Sequence, residues 1–99
     1  MQSAYAESFV RDMGCTEKEW LGWLPAAIGE RPWTQDGASA RVLIEPGALR
    51  LEWCVQEPRV IALMRMPRLQ VAFRFTGLDG AQRYTFMKRF DLYMQRGGG

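Results

Sequence analysis

The chain has 99 residues, 13 basic and 11 acidic side chains for a net charge of +2, no histidine, and 47% hydrophobic residues including four Trp, five Phe and three Tyr. That length fits one domain, and this aromatic-rich composition is globular rather than disordered. Without histidine the chain lacks the commonest general base, the commonest zinc ligand and every Ser–His or Cys–His nucleophile pair.

No apolar run approaches the roughly 18 residues that a membrane span requires. The opening MQSAYAESFVRDMG has no basic stretch followed by an apolar core, so no secretory signal is read there. Two cysteines without a framework pattern fit a reducing compartment, and a cytoplasmic location is expected.

In chain order, Ser3 can cap a first helix with Tyr5, Ala6, Phe9, Val10 and Met13 at helical spacing, and Gly14 is a natural stop. Thr16 with Glu19 three positions on forms a capping box that opens a second helix. Its buried stripe is Trp20, Trp23 and Leu24 with Ala27 or Ile28, and Pro25 marks a kink or an end. Two helices joined this closely form a helical hairpin. The stretch ERPWTQDGAS, from Glu30 to Ser39, reads as a loop in which Trp33 lies over the edge of the core.

From Ala40 to about Met87 the pattern is an antiparallel meander. Three junctions carry proline: Glu45-Pro46-Gly47-Ala48, Glu57-Pro58-Arg59-Val60 and Met66-Pro67-Arg68-Leu69. Proline presets φ for a turn and cannot donate to a central ladder, and Gly47 would supply the positive φ of a type II turn. With each Pro-X pair as a two-residue loop, Val42 faces Leu51, Trp53 faces Met64, and Met64 faces Val71. The apolar set then falls on one face, which a slip of one residue would scatter. The other face carries Arg41, Glu52, Arg65 and Gln70 in one row, together with Leu43, Cys54, Ile61, Leu63 and Ala72.

Asp79-Gly80 is a strong hairpin signal and predicts a fifth strand from Gln82 to Met87, with Met87 on the outer face. The competing reading is one helix from Gly80 to Arg96 with Tyr84, Met87, Phe90 and Met94 on a stripe. With the strand, Lys88 to Arg96 forms a short helix and Gly97 to Gly99 a flexible end. The expected architecture is a single α+β domain over residues 1–96. In it an N-terminal helical hairpin packs on one face of a four- or five-stranded antiparallel meander, and a short C-terminal helix follows.

The motifs exclude more than they propose. There is no phosphate-binding GxxxxGK[ST], no GxGxxG after a strand and no CxxC. Gly77-Leu78-Asp79-Gly80 matches a bare GxxG but reads as a turn. Glu17 and Glu19 suit the first turn of a helix, where the dipole favours negative charge, and no carboxylate pair is singled out for catalysis. Met64 and Met66 share a strand face as a copper(I) site would want, yet their expected neighbours are core residues, so no metal and no cofactor is expected. Cys54 lies near Arg50 and Arg65 by strand spacing, which would lower a thiol pKa, while a space-filling role beside Ile61 and Leu63 is the plainer reading.

Charge is unevenly placed: residues 1–57 carry five basic and nine acidic side chains, residues 58–99 eight and two. The expected function is non-catalytic binding or assembly, with a protein partner or a second copy on the outer face of the sheet. That face comprises Leu43, Arg50, Cys54, Ile61, Leu63, Arg65, Ala72, Arg74 and Met87, where Cys54, Leu63, Ala72 and Met87 would form an apolar row rimmed by arginine. The runner-up is nucleic-acid binding through Arg50, Arg65, Arg74 and Arg83, without exposed aromatics for base stacking. A small ligand between helices and sheet is a third reading.

Overall fold

The computed structural model describes residues 4–96. The elements are β1 (Ser8–Met13), α1 (Glu17–Ile28), β2 (Trp33–Asp36), β3 (Ser39–Ile44), β4 (Gly47–Ile61), β5 (Met64–Thr76) and α2 (Gly80–Arg96). All five strands join one sheet in the order β1-β5-β4-β3-β2, each antiparallel to its neighbour. Both helices cover one face: Trp20 of α1 lies edge-on to Trp53 of β4 and to Phe90 of α2, and Phe90 in turn meets Phe73 of β5. The domain is therefore α+β and two-layered, but α1 lies between β1 and β2 and α2 follows β5, so the helices do not form an N-terminal hairpin.

The expected first helix is a strand. Phe9, Arg11 and Met13 alternate inward while Ser8, Val10 and Asp12 face out. This short amphipathic run satisfies either period. Pairing along the edge of β5 decides it, because Phe9 stacks on its cross-strand partner Phe73 with ring centroids 4.7 Å apart. The cap assigned to Ser3 and the tail at Gly97 to Gly99 lie outside the described residues.

The capping box of α1 is present. The Thr16 hydroxyl accepts from the Glu19 amide at 3.1 Å and the Glu19 carboxylate accepts from the Thr16 amide at 2.9 Å. The helix runs through Pro25 and ends at Gly29, whose φ of 80° suits glycine. Trp20, Leu24, Ala27 and Ile28 are buried and Trp23 is half-buried. Thr16→Ala is expected to cost about 1 kcal/mol of stability by urea melting, the usual worth of such a cap.

The expected loop at Glu30 to Ser39 contains β2, which turns into β3 through Gly37-Ala38 with Gly37 at φ 60°. Trp33 stands opposite Val42 and packs against the core. Between β3 and β4 the two-residue loop is Glu45-Pro46, joined by a cis peptide, rather than Pro46-Gly47. Val42 therefore faces Leu49 instead of Leu51, a shift of two residues that leaves every side chain on its expected face. Gly47 is glycine because of close packing, not a positive φ: a Cβ there would run into the Thr76 carbonyl and the Gly77 backbone.

The proline turns at Pro58 and Pro67 do not form. Strands β4 and β5 pass through both prolines and turn only at Ala62-Leu63. Trp53 therefore pairs with Val71, Glu52 with Ala72, and Arg65 with Val60, replacing the expected Trp53–Met64 and Arg65–Glu52 neighbours. A β-bulge sets Glu57 and Pro58 against Pro67, and no third strand pairs with either proline, so the missing N–H donors leave no gap in a central ladder.

The segment after Asp79-Gly80 is the helix α2, not a strand plus a short helix. Asp79 accepts from the Gln82 amide at 2.9 Å and Gln82 accepts from the Asp79 amide at 2.8 Å, a reciprocal cap that starts the helix. A further strand after Thr76 could not pair with β5 as the expected hairpin requires, since β5 already lies between β1 and β4. Phe86, Met87, Phe90 and Met94 are buried on the sheet.

Candidate interaction surface

Strands β4 and β5 outrun their neighbours. β3 follows β4 only to the Ser39–Glu52 pair, with one further bond from the Trp53 amide to the Ala38 carbonyl. β1 follows β5 only from Arg74 to Leu69. Beyond these points the two strands continue alone as a hairpin arm, and the molecule reaches 47 Å in its longest dimension.

Along the arm Ile61 pairs with Met64 and Arg59 with Met66, all on the pleat continuous with the outer face of the sheet. Val60 and Arg65 pair on the opposite pleat, and Leu63 occupies the tip. Ala62, beside it, has φ 54°, a left-handed conformation uncommon for a residue with a Cβ. Six of the nine large hydrophobic residues exposed among the described ones lie here: Val55, Val60, Ile61, Leu63, Met64 and Met66. Their exposure runs from 43% for Met66 to 99% for Leu63. At the base of the arm, Arg68 pairs with Asp12 at 3.2 Å beside a small cleft of about 120 Å³ lined by Asp12, Gly14, Arg59, Met66, Pro67 and Arg68.

The residues expected on one outer face separate into three groups. Leu43, Arg50, Cys54, Ala72 and Arg74 do lie on the outer face of the sheet. Ile61, Leu63 and Arg65 belong to the arm, with Arg65 on the pleat opposite to Ile61. Met87 is fully buried under α2, so the row Cys54, Leu63, Ala72 and Met87 does not exist: Cys54 stands opposite Gln70, and Ala72 stands between Glu52 and Val10. Met64 and Met66, expected in the core, are exposed on the arm. The C-terminal segment does not fold back over the apolar residues, since Phe90 and Met94 are committed to the other side of the sheet.

Arg83 is also diverted. Its guanidinium donates to the carbonyls of Tyr5 at 2.9 Å and Leu78 at 2.8 Å. What the sequence did not disclose is the row Arg74–Arg50–Arg41, three arginines opposite one another on adjacent strands, continued by Ser8 on β1 and Thr34 on β2. The register of four strand pairs is needed to find it.

A second polar group lies under the sheet. Asp91 of α2 accepts from Arg11 at 2.6 and 3.0 Å and from the Tyr5 hydroxyl at 2.6 Å, while the Arg11 guanidinium lies over Phe73 and Phe9 at 5.3 and 5.5 Å from their centroids. Burial opposes the Arg11 charge, but the hydrogen bonds and charge of Asp91 outweigh it and its pKa is raised. Burial, and then the Asp91 carboxylate, push the Tyr5 phenol from 10.0 up to about 12. An acid whose pKa is higher folded than unfolded holds its proton longer in the native state, so its contribution is intact below pH 10 and is lost as pH rises through 12. Tyr5→Phe is expected to flatten the stability profile in that window by about 2–3 kcal/mol relative to the parent, followed by urea melts at stepped pH.

Both cysteines are free thiols, Cys15 buried and Cys54 exposed. Burial raises the Cys15 pKa and the Glu19 charge adds to it. The Cys54 thiol lies 3.7 Å from the Val55 carbonyl; it stands opposite Gln70, four residues along the strand from Arg50, and Arg65 pairs instead with Val60 on the arm. Between helices and sheet, Trp20, Phe73, Phe86 and Phe90 fill the interior. A shallow cleft of about 250 Å³ lies at one end, lined by Arg31, Ile44, Glu45, Asp79, Ala81, Gln82 and Thr85. Among the described residues no three His, Cys, Asp or Glu side chains converge to hold a metal ion, and no helix is long and apolar enough to cross a membrane. Compared with known proteins, the chain matches no family model, no curated protein and no solved structure.

Proposed function

We propose that this chain is a non-catalytic assembly protein that associates with a second copy of itself through the β-arm. The observation that carries the reading is the concentration of exposed Val55, Val60, Ile61, Leu63, Met64 and Met66 on one projecting hairpin. A two-stranded hairpin is marginal in water on its own. Apolar residues on such an element, with strand edges free on both sides, favour burial against a partner. A two-fold arrangement suits it because each arm then offers its partner the same apolar surface. The proposed interface lies on the arm and not on the sheet face, keeping Ile61, Leu63 and Arg65 and releasing Leu43, Arg50, Cys54, Ala72, Arg74 and Met87.

Light scattering on the eluting protein, comparing the parent chain with Leu63→Glu, tests the reading. The parent is expected to elute as a dimer at micromolar concentration and the variant as a monomer with unchanged circular dichroism. A parent that stays monomeric at the highest attainable concentration would remove the basis for self-assembly.

A further inference from the structure

The arginine row on the outer face has no part in the arm, and we infer that it is a binding site for the phosphate backbone of duplex nucleic acid. Arg41, Arg50 and Arg74 stand opposite one another on β3, β4 and β5. With neighbouring strands about 4.8 Å apart, the three side chains span about 10 Å of an open sheet face. Like charges directly opposite in a ladder are destabilising, so this arrangement costs the isolated fold stability. The counter-charge on the row is slight: Glu52 reaches Arg50 at 3.3 Å with both side chains more than half exposed, and no ion pair involves Arg41 or Arg74 among the described residues. A polyanion laid across the row turns the repulsion into attraction.

The chemistry favours phosphate over a carboxylate-rich peptide. All three groups are guanidinium, whose planar fork matches two phosphate oxygens at once. Ser8 and Thr34 add hydroxyl donors at the two ends of the same row. A duplex carries one charge per ~1.7 Å of its axis, so a row of this length meets phosphates wherever it lands and needs no sequence register. The aromatic residues of the strands, Phe9, Trp33, Trp53, Phe73 and Phe75, all lie on the helix-covered face. Base stacking on this surface is therefore absent, which selects the backbone of a duplex over the splayed bases of a single strand.

The test is fluorescence anisotropy of a labelled duplex of about 20 base pairs and arbitrary sequence, titrated between low and physiological salt. Three phosphate contacts predict a log–log salt slope of about −2.7, and Arg50→Gln is expected to reduce its magnitude by about 1. The triple variant Arg41→Gln, Arg50→Gln, Arg74→Gln is expected to lose measurable binding while melting no lower than the parent, because it relieves the repulsion. The same slope per chain is expected in the Leu63→Glu background, so failure of the assembly reading leaves this one standing. Any of three results would overturn it: undiminished binding by the triple variant, tighter binding of the corresponding single strand, or tighter binding of labelled polyglutamate at the same salt. Absence of duplex binding at the lowest salt would do so equally.

Discussion

Asp91→Ala is expected to lower the unfolding free energy by about 3 kcal/mol, the largest loss of any single polar substitution proposed for this fold. The carboxylate is the only group in the triad that satisfies both Arg11 and Tyr5. Its removal strands a guanidinium held among aromatic rings and leaves the phenol without its acceptor. Breaking a fully buried ion pair costs roughly 3–5 kcal/mol. Arg11 and Asp91 side chains are each about a quarter exposed, which lowers the ionic part, and the orphaned Tyr5 hydroxyl adds ~1 kcal/mol. The comparison is Glu52→Ala, which breaks a pair more than half exposed and is expected to move stability by less than about 0.5 kcal/mol. Urea melts with an unchanged m-value measure both. A loss below about 1 kcal/mol for Asp91→Ala would mean that the triad does not tie β1 to α2.

That tie also marks the limit of what the sequence discloses. Arg11 and Asp91 are 80 residues apart and carry no local signature of each other, so β1 could not be told from a helix by spacing alone. Local chemistry was legible where both halves of a motif are close in sequence, as in the Thr16–Glu19 box. The two Asp-Gly pairs show the difference. Asp36-Gly37 leads into the β2–β3 hairpin. Asp79-Gly80 starts a helix, and the signal that separates them is Gln82, three residues after Asp79 and able to return its cap.

The inner face of the sheet was legible for a different reason. Alternation within a strand does not depend on which strand lies beside it, so Leu49, Leu51, Trp53, Val71, Phe73 and Phe75 are buried as expected although their partners differ. Prolines misled because Pro58 and Pro67 read as turns, whereas in a two-stranded arm their missing donors face no neighbour. The same mistake placed Met64 and Met66 in the core, since apolar residues that serve a surface look like core residues until the strand lengths are known.

The second large effect is expected at the arm. Fully burying side chains of this kind is worth roughly 1.5–3 kcal/mol each, and Ile61, Leu63, Met64 and Met66, which share the tip and one pleat, together offer on the order of 6 kcal/mol per copy. Two arms then offer on the order of 12 kcal/mol against an association cost of roughly 4–15 kcal/mol; at the low end of that cost, which suits an already formed hairpin, about 8 kcal/mol remains and the dissociation constant is micromolar. Leu63 is the most exposed of them and stands at the tip beside Ala62. Placing a carboxylate there removes apolar area from both copies and sets charge into a desolvated contact, and Leu63→Glu is expected to weaken association by at least about 100-fold. The monomer should lose no more than about 0.5 kcal/mol, because a side chain this exposed supports nothing within its own chain.

Sedimentation equilibrium of the parent chain and Leu63→Glu, run across the micromolar range, therefore tests the account of the arm most directly. A reversible monomer–dimer equilibrium is expected for the parent, and a single species of monomer mass for the variant at every concentration in that range. Equal dissociation constants for the two proteins, or a dimer that persists undiminished in Leu63→Glu, would contradict it.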